Sequence, residues 1–252
     1  GLSTCDANID TTRPTIVVTH GWQFSPNYNG EVAPPWVINM VDAIKHRLSA
    51  AGKAANIITY TWKEAYALEP ITVSGNVDAH GNRLGSVLST LLGQDYEDVI
   101  HFIGHSFGSL VNARAVNILS KANPKLTVAQ FTILDAPVAN ILDARCVVEN
   151  LIDETCVPPN VFLYNTAFGQ ALFHALLPPS VGWVDNYYGD CLVFKPECAF
   201  VFPGSFGGPL VGTIPGDGLQ VHGNHSGVHD RYCETIETTG DGDLCQTSGI
   251  PN

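Results

Sequence analysis

The stretch Gly104-His105-Ser106-Phe107-Gly108 sets a serine between two glycines, where the apolar run "IHFIG" gives way to a helix-like pattern. A serine at a strand-to-helix junction sits on a sharp, strained turn with its hydroxyl standing clear above the strand ends. Flanking glycines remove the β-carbons that would collide there. The chemistry this suits is nucleophilic attack on an acyl carbon. Such an attack requires a base to take the hydroxyl proton and donors already placed for the oxygen that becomes negative. The amide of Phe107, next in the chain, faces that space with a helix N-terminus behind it. A second amide is expected from "THGW", after an earlier apolar run, where Gly21 lets the chain turn closely and Trp22 supplies the N–H. The plainer alternative is a small residue in an ordinary tight turn.

An orienting carboxylate belongs at the carboxyl end of a buried parallel strand, where catalytic groups of open α/β sheets collect. Asp135, after "FTIL", has that position, and a helix-capping or turn aspartate is its competing reading. Asp185 in "GWVDNYYGD" is the rival acid. Nine histidines could supply the base. His225 and His229 have HxxxH spacing, which could hold a metal on one helix face, but no paired Cys or Glu motif accompanies them, so metal catalysis is not expected. "TTGDGDLC" looks like a fragment of a calcium loop without the full ligand series, so a solvated turn is expected there and no cofactor is called for.

The elements that must hold these residues alternate. "PTIVVTHG" reads as a strand. "PPWVINMVDAIKHRLSAAG" reads as a helix, with Trp36, Met40, Ile44 and Leu48 at helical spacing. "NIITYTW" is a second strand, and Val73, Val77, Leu84, Val87, Leu88 and Leu91 mark a second helix. "DVIHFIG" is a third strand, Leu110 to Leu119 a third helix, and "AQFTILDAP" a fourth strand. Strands apolar on both faces, alternating with helices, predict a mostly parallel sheet covered by helices on each side. After Pro137 the pattern loosens: "NVFLYNTAFG" still reads as a strand, but residues 166–224 are rich in Gly, Pro and aromatics, including Phe168, Phe173, Trp183, Tyr187 and Phe202. Substrate recognition is expected there.

The chain of 252 residues, 45% of them hydrophobic, is long enough for one sizeable core, and a single domain over 1–252 is expected. The 24 acidic and 12 basic residues give a formal charge of −12, which repels phosphate backbones and anionic headgroups. Nucleic acid is therefore not expected as a partner, and a neutral or weakly polar substrate is. No apolar stretch approaches the roughly 18 to 20 residues of a membrane span. Seven cysteines without a CxxC pair predict disulfides and an extracellular or periplasmic setting. Cys146 with Cys156, Cys191 with Cys198, and Cys233 with Cys245 are the short-range neighbours, leaving Cys5 over. The start, "GLSTCDANID", lacks a basic region followed by an apolar one, so any export signal is expected to have been removed or to lie outside this sequence.

Taken in order, His20-Gly21-Trp22, Thr61-Trp62-Lys63, Gly104 to Gly108, Leu134-Asp135-Ala136-Pro137 and "NHSGVHDRYCETI" resemble the successive landmarks of the pancreatic-lipase family of α/β-hydrolases. The resemblance covers most of residues 13–236. It implies an α/β-hydrolase fold, a Ser106 nucleophile and, after the next strand, Asp135 as acid. The chain order nucleophile, acid, histidine then leaves His174, His222, His225 and His229. His174, in "ALFHALL", reads as a core or lid residue. The family's final motif falls on His225, about ninety residues after Asp135, with His229 and His222 as alternatives. The implied activity is that of a secreted serine lipase or esterase acting on an ester or lipid, including one at a lipid or polymer interface. The competing classes are a non-catalytic binding protein on the same scaffold and an amidase or peptidase with the same triad. The chain departs from the family at the lid: Cys198 lies 27 residues before His225, and "SFGGPLVGTIPGDG" between them holds no second cysteine. Interfacial activation and triglyceride preference therefore do not follow, and a carboxylesterase, phospholipase or polyester hydrolase fits as well.

Overall fold

Val17 and Val18 show how the sheet is built: adjacent in sequence and both fully buried, they belong to two separate apolar clusters, one on each face. A strand buried on both sides must be apolar throughout, which is why "TIVVT" and "FTIL" carry so little polar alternation. The computed structural model describes residues 9–23, 30–66, 76–136, 177–189, 216–221, 227–237 and 245.

Among the described residues six strands form one sheet: β1 (Thr15–Thr19), β2 (Asn56–Tyr60), β3 (Val99–His105), β4 (Thr127–Leu134), β5 (Val184–Gly189) and β6 (Gly216–Val221), in the order β2-β1-β3-β4-β5-β6. Every neighbouring pair is parallel. The helices among the described residues are α1 (Pro35–Ala50), α2 (Val77–Leu92), α3 (Phe107–Ala122) and α4 (Gly227–Ile236), with a short 3-10 turn at Lys63–Ala65. Leu84 and Leu88 of α2 and Leu110 and Val111 of α3 join Val17, Phe102, Phe131 and Ile133 on one face. Trp36, Met40 and Ile44 of α1 and Val228 and Tyr232 of α4 join Val18, Ile103 and Leu134 on the other. The sheet is therefore covered on both sides, as an α/β-hydrolase sheet is, and the four strands and three helices read from residues 14–134 are present.

The later strands were not read from the sequence. "VDNYYG" and "GDGLQV" lie in the stretch read as loop, because each is short and carries Asp, Gly or Asn among few apolar residues. They pair because β4 offers β5 a ladder, and β5 offers one to β6. The strand expected at "NVFLYNTAFG" and the fragment at 238–244 lie outside the described residues. So do Cys5, Cys146, Cys156, Cys191 and Cys198. Cys233 and Cys245 are bonded, with Cα atoms 5.5 Å apart, and among the described residues no helix is long and apolar enough to cross a membrane.

The strand order places the site. The chain lays down β1, moves outward to β2, then returns to the other side of β1 for β3, so the crossovers diverge above β1 and β3. The crevice at the carboxyl ends of such a pair is where open parallel sheets bind their ligands. His20-Gly21-Trp22 follows β1 and Ser106 follows β3.

Candidate active site

Ser106 has φ 54° and ψ −131°, a backbone conformation that costs a non-glycine residue on the order of 1–3 kcal/mol. It stands immediately before α3, where a serine usually turns its hydroxyl back onto the first-turn amides, yet its side chain makes no capping hydrogen bond. An ordinary capping serine would do the reverse on both counts. The strain is held by packing. The Ser106 N–H donates to the Leu134 carbonyl at 2.8 Å and the Ser109 hydroxyl to the Gly104 carbonyl at 2.6 Å. A β-carbon on Gly104 would lie 2.5 Å from Ser109 Cα, and one on Gly108 would lie 2.3 Å from the Thr19 carbonyl oxygen. Both glycines are thus required by close backbone approach.

The loop after β1 closes on the same point. A β-carbon on Gly21 would fall 2.5 Å from Ser106 Cβ, 2.7 Å from the His105 carbonyl oxygen and 2.9 Å from the Phe107 nitrogen. The Gly21–Trp22 peptide and the first amide of α3 therefore border Ser106 together. Because the first amides of a helix lack partners within it and carry partial positive charge, this corner suits a developing anion. Gly21→Ala is expected to lower the kcat/KM of hydrolysis by about 100-fold, because the methyl group can be accommodated only by moving backbone at Ser106. Steady-state kinetics beside far-UV circular dichroism checks this.

Asp135 follows β4 as Ser106 follows β3. His105 and Leu134 are register partners, so the two residues leave adjacent strands at one level. Asp135 also has a positive φ, 48°, is 2% exposed, and donates its N–H to the Tyr187 carbonyl at 2.7 Å. Asp185 lies lower in the sheet, opposite Thr132 and three residues short of the level of Asp135. Its carboxylate accepts from the Gln130 side-chain amide and the Trp183 indole N–H. His229 is buried on the α1 side: its ring stacks on Trp36 with centroids 4.5 Å apart, meets His105 edge-on at 4.8 Å, and its Nδ1 lies 2.8 Å from Asp230 Oδ1. His222 and His225 lie outside the described residues, as does His174.

Behind the loop stands a polar cluster to which the sequence alone assigns no role. His20 is fully buried, stacks with Trp62, and contacts the Gly21 carbonyl through Nδ1 at 2.8 Å. Burial drives its pKa down from 6.5 to about 4. The unfolded chain therefore takes up a proton at a higher pH than the folded one. Stability from this group is full above pH 6.5 and is lost as pH falls toward 4, amounting to up to about 3 kcal/mol. His101, also lowered to about 4 by burial, acts in the same sense. Urea unfolding at pH 7.5 and pH 4.5 is expected to show this loss, and a His101→Gln variant a shallower slope.

A search of curated protein sequences finds no match. Among solved structures the chain is similar to a candidate cell surface hydrolase from Lactobacillus plantarum WCFS1, with 11% identity, a TM-score of 0.50 and 92% of each chain covered. It is also similar to the lin2722 gene product of Listeria innocua, with 13% identity, a TM-score of 0.47, and 90% of this chain and 92% of that one covered. At 11% identity the first of these likenesses speaks to the fold alone. A family model described as Lipase matches residues 3–145, more than half of the 252-residue sequence, and the chain belongs to the lipase family of α/β-hydrolases.

Proposed function

We propose that this hydrolase is an exported serine carboxylic ester hydrolase working through an acyl-enzyme on Ser106. The observation that carries the reading is the strained Ser106, whose side chain caps no amide while Gly21 packs closely against its β-carbon and against the Phe107 nitrogen. In the proposed cycle His225 takes the Ser106 proton as Oγ attacks the ester carbonyl, and Asp135 accepts from the imidazole's other N–H. The amides of Trp22 and Phe107 receive the tetrahedral oxygen. The proton then passes from His225 to the departing alcohol. A water, deprotonated by the same imidazole, attacks the acyl carbon; the bond to Oγ breaks, the imidazolium returns its proton to Ser106, and the carboxylic acid leaves. These steps require no cofactor. The formal charge of −12 favours neutral esters over phosphate-rich ones, and the Cys233–Cys245 bond supports an oxidising compartment.

A chain-length series of p-nitrophenyl esters beside matched anilides, with and without micelles, tests the reading. Turnover of esters well above anilides supports it; anilide turnover equal to or above ester turnover makes the chain an amidase, and no turnover of either contradicts it.

A further inference from the structure

The Trp22 amide can stabilise an oxyanion only if something fixes the direction in which it points. Peptides are planar, and no cis bond occurs among the described residues, so the Gly21 carbonyl and the Trp22 N–H point in opposite directions. Whatever holds that carbonyl also aims the amide. The His20 ring holds it at 2.8 Å, with the Gln23 side-chain amide adding a longer contact of 3.5 Å.

Trp62 determines how His20 can act. The main-chain N–H of Trp62 donates to His20 Nε2 at 3.3 Å, and its indole N–H donates to the His20 carbonyl at 2.8 Å. A main-chain N–H can only donate, so Nε2 must present its lone pair and the ring proton must sit on Nδ1, where it is given to the Gly21 carbonyl. Trp62 is itself backed by His80, with ring centroids 4.9 Å apart. His80 is fixed between the Tyr60 hydroxyl at 2.8 Å and Glu64 Oε2 at 3.0 Å. Beyond Trp22 the chain is pinned again, since the Gln23 N–H donates to the Ala65 carbonyl at 2.9 Å. The segment bearing the amide is therefore clamped on both sides to residues 62–65, and Gly21 presses it against Ser106.

We infer that Trp62 and His20 are positioning residues for the oxyanion hole: Trp62 fixes the tautomer and seat of His20, and the Nδ1 proton of His20 sets the Gly21–Trp22 peptide so that the Trp22 N–H serves the tetrahedral oxygen. This rests on the ester-hydrolase reading above. Neither side chain is assigned a contact with the substrate, so both should act on the transition state and hardly on ground-state binding.

The test uses Trp62→Phe, which keeps an aromatic ring and the main-chain N–H but loses the indole donor, and His20→Asn as a second variant. Competent sites are counted by fluorophosphonate titration, so misfolded molecules are not read as slow ones. Each variant is expected to lose about 10- to 100-fold in kcat, less than removal of a whole oxyanion donor, with KM within about threefold. Inhibition by a trifluoromethyl ketone, whose adduct carries the oxyanion, should weaken in parallel with kcat/KM. Wild-type kcat and ketone affinity in both variants, or a raised KM at unchanged kcat, overturns the inference while leaving the ester-hydrolase reading in place. A wild-type chain without esterase activity overturns that reading instead.

Discussion

Replacing Ser106 with alanine is expected to abolish ester hydrolysis to within about 10⁻⁴ of the wild-type rate while leaving the fold unchanged. Both halves follow from the same geometry. The hydroxyl caps no helix amide, so its removal leaves α3 as well anchored as before. Alanine keeps the β-carbon that packs against Gly21, and the backbone hydrogen bond to Leu134 does not involve the side chain. Thermal unfolding should therefore move little. Ser106→Gly separates strain from chemistry: with no β-carbon at φ 54°, it should lose activity equally and gain about 1 kcal/mol of stability. A stability loss of several kcal/mol in Ser106→Ala, with partial activity kept, would mark the residue as structural.

Asp135→Asn is expected to lower kcat by about 10³- to 10⁴-fold, because an amide in place of the carboxylate favours the wrong histidine tautomer and no longer stabilises the imidazolium. Asp185→Asn is expected to change kcat less than about threefold and to act on stability instead, since its carboxylate joins the Gln130 and Trp183 side chains partway down the sheet. The contrast matters more than either value. The two aspartates stand on neighbouring segments of one sheet, but only Asp135 leaves its strand at the level of Ser106. Parallel kinetics and urea unfolding on the two variants check the assignment, and the reverse pattern would transfer the acid to Asp185.

The first half of the fold was legible because β1, β3 and β4 are largely buried on both faces and α1 and α2 each bury one stripe. Trp36, Met40 and Ile44 recur at helical spacing and are buried in α1. β5 and β6 were not legible, since "VDNYYG" and "GDGLQV" owe their extended form to the ladders beside them rather than to their own composition. At the site, the glycines around Ser106 were readable because close approach leaves a local mark in the sequence. The His20–Trp62 clamp was not, because its partners lie 42 residues apart and meet only when β1 and β2 pair. The left-handed turn at Asp135 is hidden for a related reason: aspartate tolerates it, so nothing in the residue type announces it.

The proposed function turns on attack by the oxygen of Ser106 on the substrate. Incubating the folded protein with a fluorophosphonate and locating the adduct by peptide mass spectrometry tests it most directly. One phosphonyl group per chain on the peptide containing Ser106, absent from Ser106→Ala, is the predicted result; an unlabelled wild-type chain, or a label on another residue that persists in Ser106→Ala, would contradict it.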